Sequence, residues 1–169
     1  MEKRFFLVSI LSIAVFSIGY SQSKAEKEAA AQALFESAKA AIESKDFVIV
    51  PDSYEKEDGT METNTDNSHF LAYEGGQYLF LQGSIVCNNN YTNKTTVNSF
   101  EQKIDKKGNL SVLMQISGSQ VNARVEIMVR KGTNYAEVII TPSNGKTKTF
   151  SGEIVPRSKA KYYKKSNII

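Results

Sequence analysis

The chain has 169 residues, enough for one domain of ordinary size and too few for a second of comparable weight. Its single cysteine excludes an internal disulfide framework, and 41% hydrophobic with 23% charged residues is the balance of a chain that buries a core, not of a disordered one. The formal charge of +3 is local: Arg157, Lys159, Lys161, Lys164 and Lys165 crowd residues 157–169 without an acid, so the remainder carries no basic field of the kind that marks a nucleic-acid-binding domain.

The N-terminus reads as an export signal. Lys3 and Arg4 precede an apolar run from Phe5 to Ile18, and Gly19 and Ser21 place small residues at −3 and −1 of a cleavage site before Gln22. Fourteen helical residues rise about 21 Å, short of the roughly 30 Å hydrocarbon core that an uncleaved anchor helix spans. A lipid-anchored signal needs a cysteine at the cleavage point, and the lone cysteine is Cys87. Residues 1–21 are therefore expected to be a signal peptide, and the mature protein to be periplasmic or secreted with no stable membrane anchor.

Residues 24–45 are rich in Ala, Glu and Lys and free of Gly and Pro, and Ala31, Leu34, Phe35, Ala38, Ala41 and Ile42 recur at three- and four-residue spacing. This predicts one amphipathic helix docked on a sheet or across the end of a barrel. The period then changes to two. "FVIVP" predicts a strand stopped by Pro51, and residues 52–68 predict a polar loop with room for a short edge strand. Further strands are expected at 70–73, 77–84, 97–105, 110–117, 121–131, 135–141 and 147–155, separated by "EGGQ", the polar 85–96 stretch, "KKGN", "SGSQ", "KGTN" and "SNGK". Asn144-Gly145 is the strongest hairpin signal, because a type I′ turn needs positive φ at both central residues.

The alternation is clearest at Val121, Ala123, Val125, Ile127 and Val129, and it repeats at Leu110, Val112, Met114 and Ile116. Long one-faced strands joined by tight turns form an antiparallel meander, and closure into a barrel removes the two bare edges of an open sheet. The expected fold is mainly β, an up-and-down barrel or strongly coiled sheet with one N-terminal helix, in a single β-rich domain over 22–156 followed by a basic tail over 157–169. A two-layer sandwich would need longer crossovers.

Chemistry leaves little trace. Cys87 needs a base to act as a nucleophile, and the only histidine, His69, is its one candidate partner; an unpaired structural cysteine in a polar inter-strand loop is the reading adopted. Asn90, Asn93 and Asn109 head sequons that a chain so rich in Asn and Thr contains by chance. Asp52, Glu55, Glu57, Asp58, Glu62 and Asp66 lack the alternate spacing of a calcium loop and read as a solvated acidic loop. Glu101, Asp105, Glu126, Glu137 and Glu153 lie on strands, with no pair marked by opposed environments. Phosphate-binding, dinucleotide, nucleophile-elbow and zinc motifs are all absent. No catalytic, metal-binding or cofactor-binding residue is assigned, and a non-catalytic protein is expected. In the tail, Tyr162 and Tyr163 sit among cations and are expected to pack back on the domain along with Ile168 and Ile169.

The stretches "AAIESKDFVIVPDSY", "TNTDNSHFLAYEGGQYLFLQG", "EQKIDKKGNLSVLMQISG", "ARVEIMVRKGTNYAEVIITPSNGK" and "FSGEIVP" together resemble a family of small exported Bacteroidetes proteins known as a domain of unknown function. The likeness spans roughly residues 38–165 and rests on the order of strands and turns and on the "KDF" start. It departs at "CNNNYTNKTT", where a Gly-rich connection would be expected. The resemblance implies export and a β-rich fold and supplies no activity. The expected role is a binding module whose cleft or barrel mouth takes a small or lipidic ligand. The alternative is a structural or interaction protein of the envelope with a packed core.

Overall fold

The computed structural model describes residues 23–56, 58–83 and 91–169. The expected signal peptide, Glu57, Cys87 and the Asn90 sequon lie outside the described residues.

Helix α1 (Lys24–Glu43) opens on a capping box, in which Ser23 Oγ accepts the Glu26 N–H and the Glu26 carboxylate accepts the Ser23 N–H. It ends two residues before the expected boundary because Lys45 takes a left-handed φ of 54° and turns the chain into the first strand. Phe35, Ala38, Ala41 and Ile42 are buried, but Leu34 is 49% exposed and residues 24–30 are all exposed. Only the second half of the helix docks.

The strands are β1 (Phe47–Pro51), β2 (Ser53–Glu55), β3 (Met61–Thr63), β4 (Phe70–Glu74), β5 (Tyr78–Gln82), β6 (Thr92–Ile104), β7 (Leu110–Gly118), β8 (Asn122–Val129), β9 (Tyr135–Pro142) and β10 (Lys148–Pro156). Eight of them close an antiparallel barrel in the order β1-β10-β9-β8-β7-β6-β5-β4, with β1 bonded to both β10 and β4. The polar stretch between β1 and β4 folds into a separate hairpin of β2 and β3. Helix α1 covers the barrel end that carries the β4–β5 and β8–β9 turns. There Lys45 O accepts the Gly76 N–H, and Ala31 lies beside Gly132.

Strand β6 begins inside the stretch expected to be a loop, five residues before Val97. Composition hid it: its inward residues at this end are Asn93 and Thr95, which donate to the Leu81 and Leu79 carbonyls of β5. A bulge between Val97 and Ser99 then changes the parity of β6, so that Phe100 turns inward opposite Met114 while Glu101 and Lys103 face out. The β9–β10 connection also departs from expectation. Pro142 ends the ladder of β9, the loop covers residues 143–147, and Gly145 alone takes positive φ (113°) while Asn144 does not.

Residues 157–169 run back along the barrel as a strap. After a short 3₁₀ turn (Arg157–Lys159), Tyr162 packs edge-on against Phe70 at 4.7 Å, over an outer apolar cluster of Val48, Phe70, Ala72 and Phe80. The C-terminus then pairs with the free edge of β6: Thr92 N–H donates to Asn167 O, Ile169 N–H to Thr92 O, and Lys94 N–H to Ile169 O. Tyr162 thus packs on the domain as expected, whereas Tyr163, Ile168 and Ile169 stay 60%, 47% and 38% exposed.

Candidate functional site

The barrel interior is filled. Leu79, Leu81, Leu110, Met114, Ile127 and Ile140 are each less than 2% exposed, and Val125 is fully buried between Met114 and Ile140 of the flanking strands. In an eight-stranded barrel the bore is just wide enough for side chains to close it, and here large aliphatic and aromatic groups do so. A ligand site must be sought on the outside.

Twist gives a barrel the shape of a hyperboloid, whose outer wall is concave along the axis. On this wall a groove of about 390 Å³ crosses β6 to β10. The strand register sets its lining in two rows. One runs Glu101, Leu113, Glu126, Ile139 and Thr149, and the next runs Lys103, Ser111, Met128, Glu137 and Ser151. Leu113, Met128 and Ile139 form an apolar centre, with Met128 46% and Ile139 39% exposed. Hydroxyls of Ser111, Thr149 and Ser151 lie beside it.

The charged groups around this centre are paired. Lys103 Nζ lies 3.2 Å from Glu101, Arg124 Nη2 lies 3.0 Å from Glu126, and Arg130 Nη2 lies 2.6 Å from Glu137. All six side chains are between two-fifths and four-fifths exposed, so each pair contributes little stability, on the order of 0–1 kcal/mol. Their effect is to hold long side chains along the groove walls. The arrangement offers an amphiphilic cleft with an apolar strip, hydroxyls that both donate and accept, and flanking charges of both signs.

Three of the five strand acids singled out in the sequence, Glu101, Glu126 and Glu137, thus meet at one groove. The other two do not. Asp105 organises the β6–β7 turn, accepting the N–H groups of Lys107 and Asn109 and the Asn109 amide, and those bonds hold its carboxyl below the usual range. Glu153 stands outside the lining on β10.

His69 is half-buried at the opposite end from the helix, stacked on Tyr54 with ring centroids 3.8 Å apart. Its Nδ1 lies 3.3 Å from both Ser68 Oγ and Asn64 Oδ1, and burial pushes its pKa down. Four acids of the 52–68 stretch separate onto different partners. Asp52 accepts from Tyr135, Asp58 from Thr60, Glu62 from Tyr54 and Lys56, and Asp66 from Ser68. Among the described residues no group of three or more His, Cys, Asp or Glu side chains is placed to hold a metal ion. In the Asn93 sequon Asn93 and Thr95 are buried, with the Asn93 amide turned to Leu81, while Asn109 is bound to Asp105.

The groove itself was not anticipated, yet its signal is present. Leu113, Met128 and Ile139 are apolar residues at positions where alternation calls for polar ones, on three consecutive strands.

Comparison with known proteins agrees with this architecture. The family model described as a domain of unknown function (DUF4251) matches residues 29–154. The crystal structure of a DUF4251 family protein from Bacteroides eggerthii is similar, with a TM-score of 0.65 and 25% identity over 79% of this chain and 94% of that one. No curated protein matches.

Proposed function

The chain belongs to the DUF4251 family of domains of unknown function, and on that footing we propose that it is an exported, non-catalytic binding protein whose site is the outer groove. The observation that carries this reading is the apolar centre of Leu113, Met128 and Ile139, diagonal neighbours on three consecutive strands, left open to solvent inside a concave wall of mixed charge. Apolar side chains gathered in a concavity, with a few polar groups to fix orientation, are the ordinary makings of a ligand site. The occupant this supports is a small amphiphile with an apolar body and hydroxyl or charged ends. Export is supported by the signal-like N-terminus, and a non-catalytic role by the pairing of each groove carboxylate with its own cation.

The filled interior favours a second reading, in which an extended segment of an envelope protein lies along the same groove. Fluorescence of the neutral apolar probe N-phenyl-1-naphthylamine tests the site. Titration should show saturable enhancement that Ile139→Ser and Met128→Ser abolish while leaving thermal unfolding unchanged. Failure of the wild type to bind, or binding that survives both substitutions, rejects the groove. Native mass spectrometry of protein from its own host then separates the readings, since a copurifying small molecule supports the first and a copurifying polypeptide the second.

A further inference from the structure

The strap is more than a cover for the outer apolar cluster. From Ala160 to Lys165 it runs extended, and its side chains alternate. Tyr162 and Lys164 turn inward, where Lys164 Nζ lies over the Phe80 ring at 3.3 Å and 3.0 Å from Glu74, and Tyr162 donates to the same carboxylate. Lys161 and Tyr163 turn outward, and Lys159 is exposed on the turn before them. The backbone of this segment is fixed by Gln82, a fully buried residue of β5. Its amide donates to the Tyr163 and Ser68 carbonyls, and its oxygen accepts the Lys165 N–H and the Thr92 hydroxyl. The pairing of residues 167–169 with Thr92 and Lys94 of β6 fixes the backbone that carries exposed Ile168 and Ile169.

We propose that the outward stripe of the strap, Lys159, Lys161 and Tyr163 running on to Ile168 and Ile169, is a docking surface for an anionic phospholipid bilayer. Charge complementarity carries the assignment. Of the five tail cations, Arg157 is paired with Asp46 and Lys164 with Glu74, whereas Lys159, Lys161 and Lys165 make no ion pair among the described residues. The nearby acids Asp46 and Glu74 are engaged by the paired cations, and Asp66 by Ser68. The exposed tyrosine and isoleucines select a bilayer over a soluble polyanion. Amphipathic rings and aliphatic tips gain by entering the headgroup boundary, while lysines reach the phosphates. The strap is stapled in place, so these groups are presented together without further ordering. Two lysines and a few apolar tips give reversible docking, not anchoring.

Cosedimentation of the purified chain with vesicles tests this. Binding is expected to vesicles of phosphatidylcholine mixed with phosphatidylglycerol and not to phosphatidylcholine alone, and it should fall as salt is raised. Each lysine near such a surface changes partitioning about fivefold, so Lys159→Gln with Lys161→Gln should weaken it about 25-fold. Tyr163→Ser should weaken binding without changing its salt dependence. Lys159, Lys161 and Tyr163 are all exposed, and an unchanged melting temperature confirms that each variant is folded. Absence of wild-type binding to the anionic vesicles overturns the proposal. So does binding that the double lysine substitution leaves intact. Equal affinity of wild type and Tyr163→Ser, with full competition by soluble polyphosphate, would show a polyanion site and likewise overturn it.

Discussion

Val125→Asp puts the filled interior to its sharpest test. Val125 is fully buried at the middle of β8, with Met114 opposite on one side and Ile140 on the other. Removing a buried valine forfeits about 1.5–3 kcal/mol of burial. A carboxyl placed there meets aliphatic neighbours and no donor, adding about 1–3 kcal/mol even in its neutral form. The sum, about 2.5–6 kcal/mol, is a large part of the roughly 5–15 kcal/mol that holds a domain of this size together. The variant should therefore be largely unfolded at 37 °C or unfold at much lower urea, followed by far-ultraviolet circular dichroism. Glu126→Lys is the control, because residue 126 faces out and its pair with Arg124 is about half exposed. Its stability should change by less than about 0.5 kcal/mol. If Val125→Asp keeps the wild-type midpoint, the bore is wet, and the argument that displaces the binding site to the outer wall fails.

Other elements make separate claims. Gln82→Ala removes the buried amide that ties Ser68, Thr92 and the strap together, so it should cost about 1–3 kcal/mol and speed tryptic cleavage at Lys161 and Lys165, read by mass spectrometry. Gly152→Ala would drive a methyl into the Val50 carbonyl at the β1–β10 seam. Backbone cannot yield as a side chain can, so a loss of about 1–3 kcal/mol is expected in chemical denaturation. The Tyr135 hydroxyl donates to Asp52 at 2.6 Å, and that bond, with some burial, pushes its pKa to about 12. A raised phenol pKa favours the neutral form in the folded state. Its stability contribution is thus complete below the ordinary value near 10 and is lost as pH rises towards 12. Ultraviolet titration should show one tyrosine ionising near 12 that Tyr135→Phe removes, together with a flatter alkaline decline in stability.

The barrel was legible where one rule dominates. Along β7 and β8 every second residue is aliphatic, and the turns between them carry Gly, so register and facing follow from the sequence. Legibility failed where polar groups do interior work. Asn93 and Thr95 look like loop residues because composition cannot show that their side chains will find the carbonyls of Leu81 and Leu79. The parity change at the Val97–Ser99 bulge is equally silent, and it decides that Glu101 and Lys103 belong to the outer wall. The helix was misjudged at Leu34 for a related reason. Periodicity marks a face that is able to dock, but how far the helix reaches over the barrel end is a tertiary fact.

The same geometry explains why an apolar centre sits on the outside at all. A closed barrel leaves its outer wall to solvent, and exposed apolar groups there gain nothing from the fold. Leu113, Met128 and Ile139 nevertheless occupy adjacent positions on three strands, whereas the cluster around Phe70 and Phe80 has its own cover in the strap. One outer apolar patch is therefore covered by the chain itself and the other is open. The covered patch is roofed by Tyr162 and Lys164, and the strap that carries them turns Lys161 and Tyr163 to the outside. The open patch lies in a concavity bounded by three ion pairs. Because groove and strap occupy different sectors of one rigid barrel, docking through the strap would leave the groove free to receive its ligand.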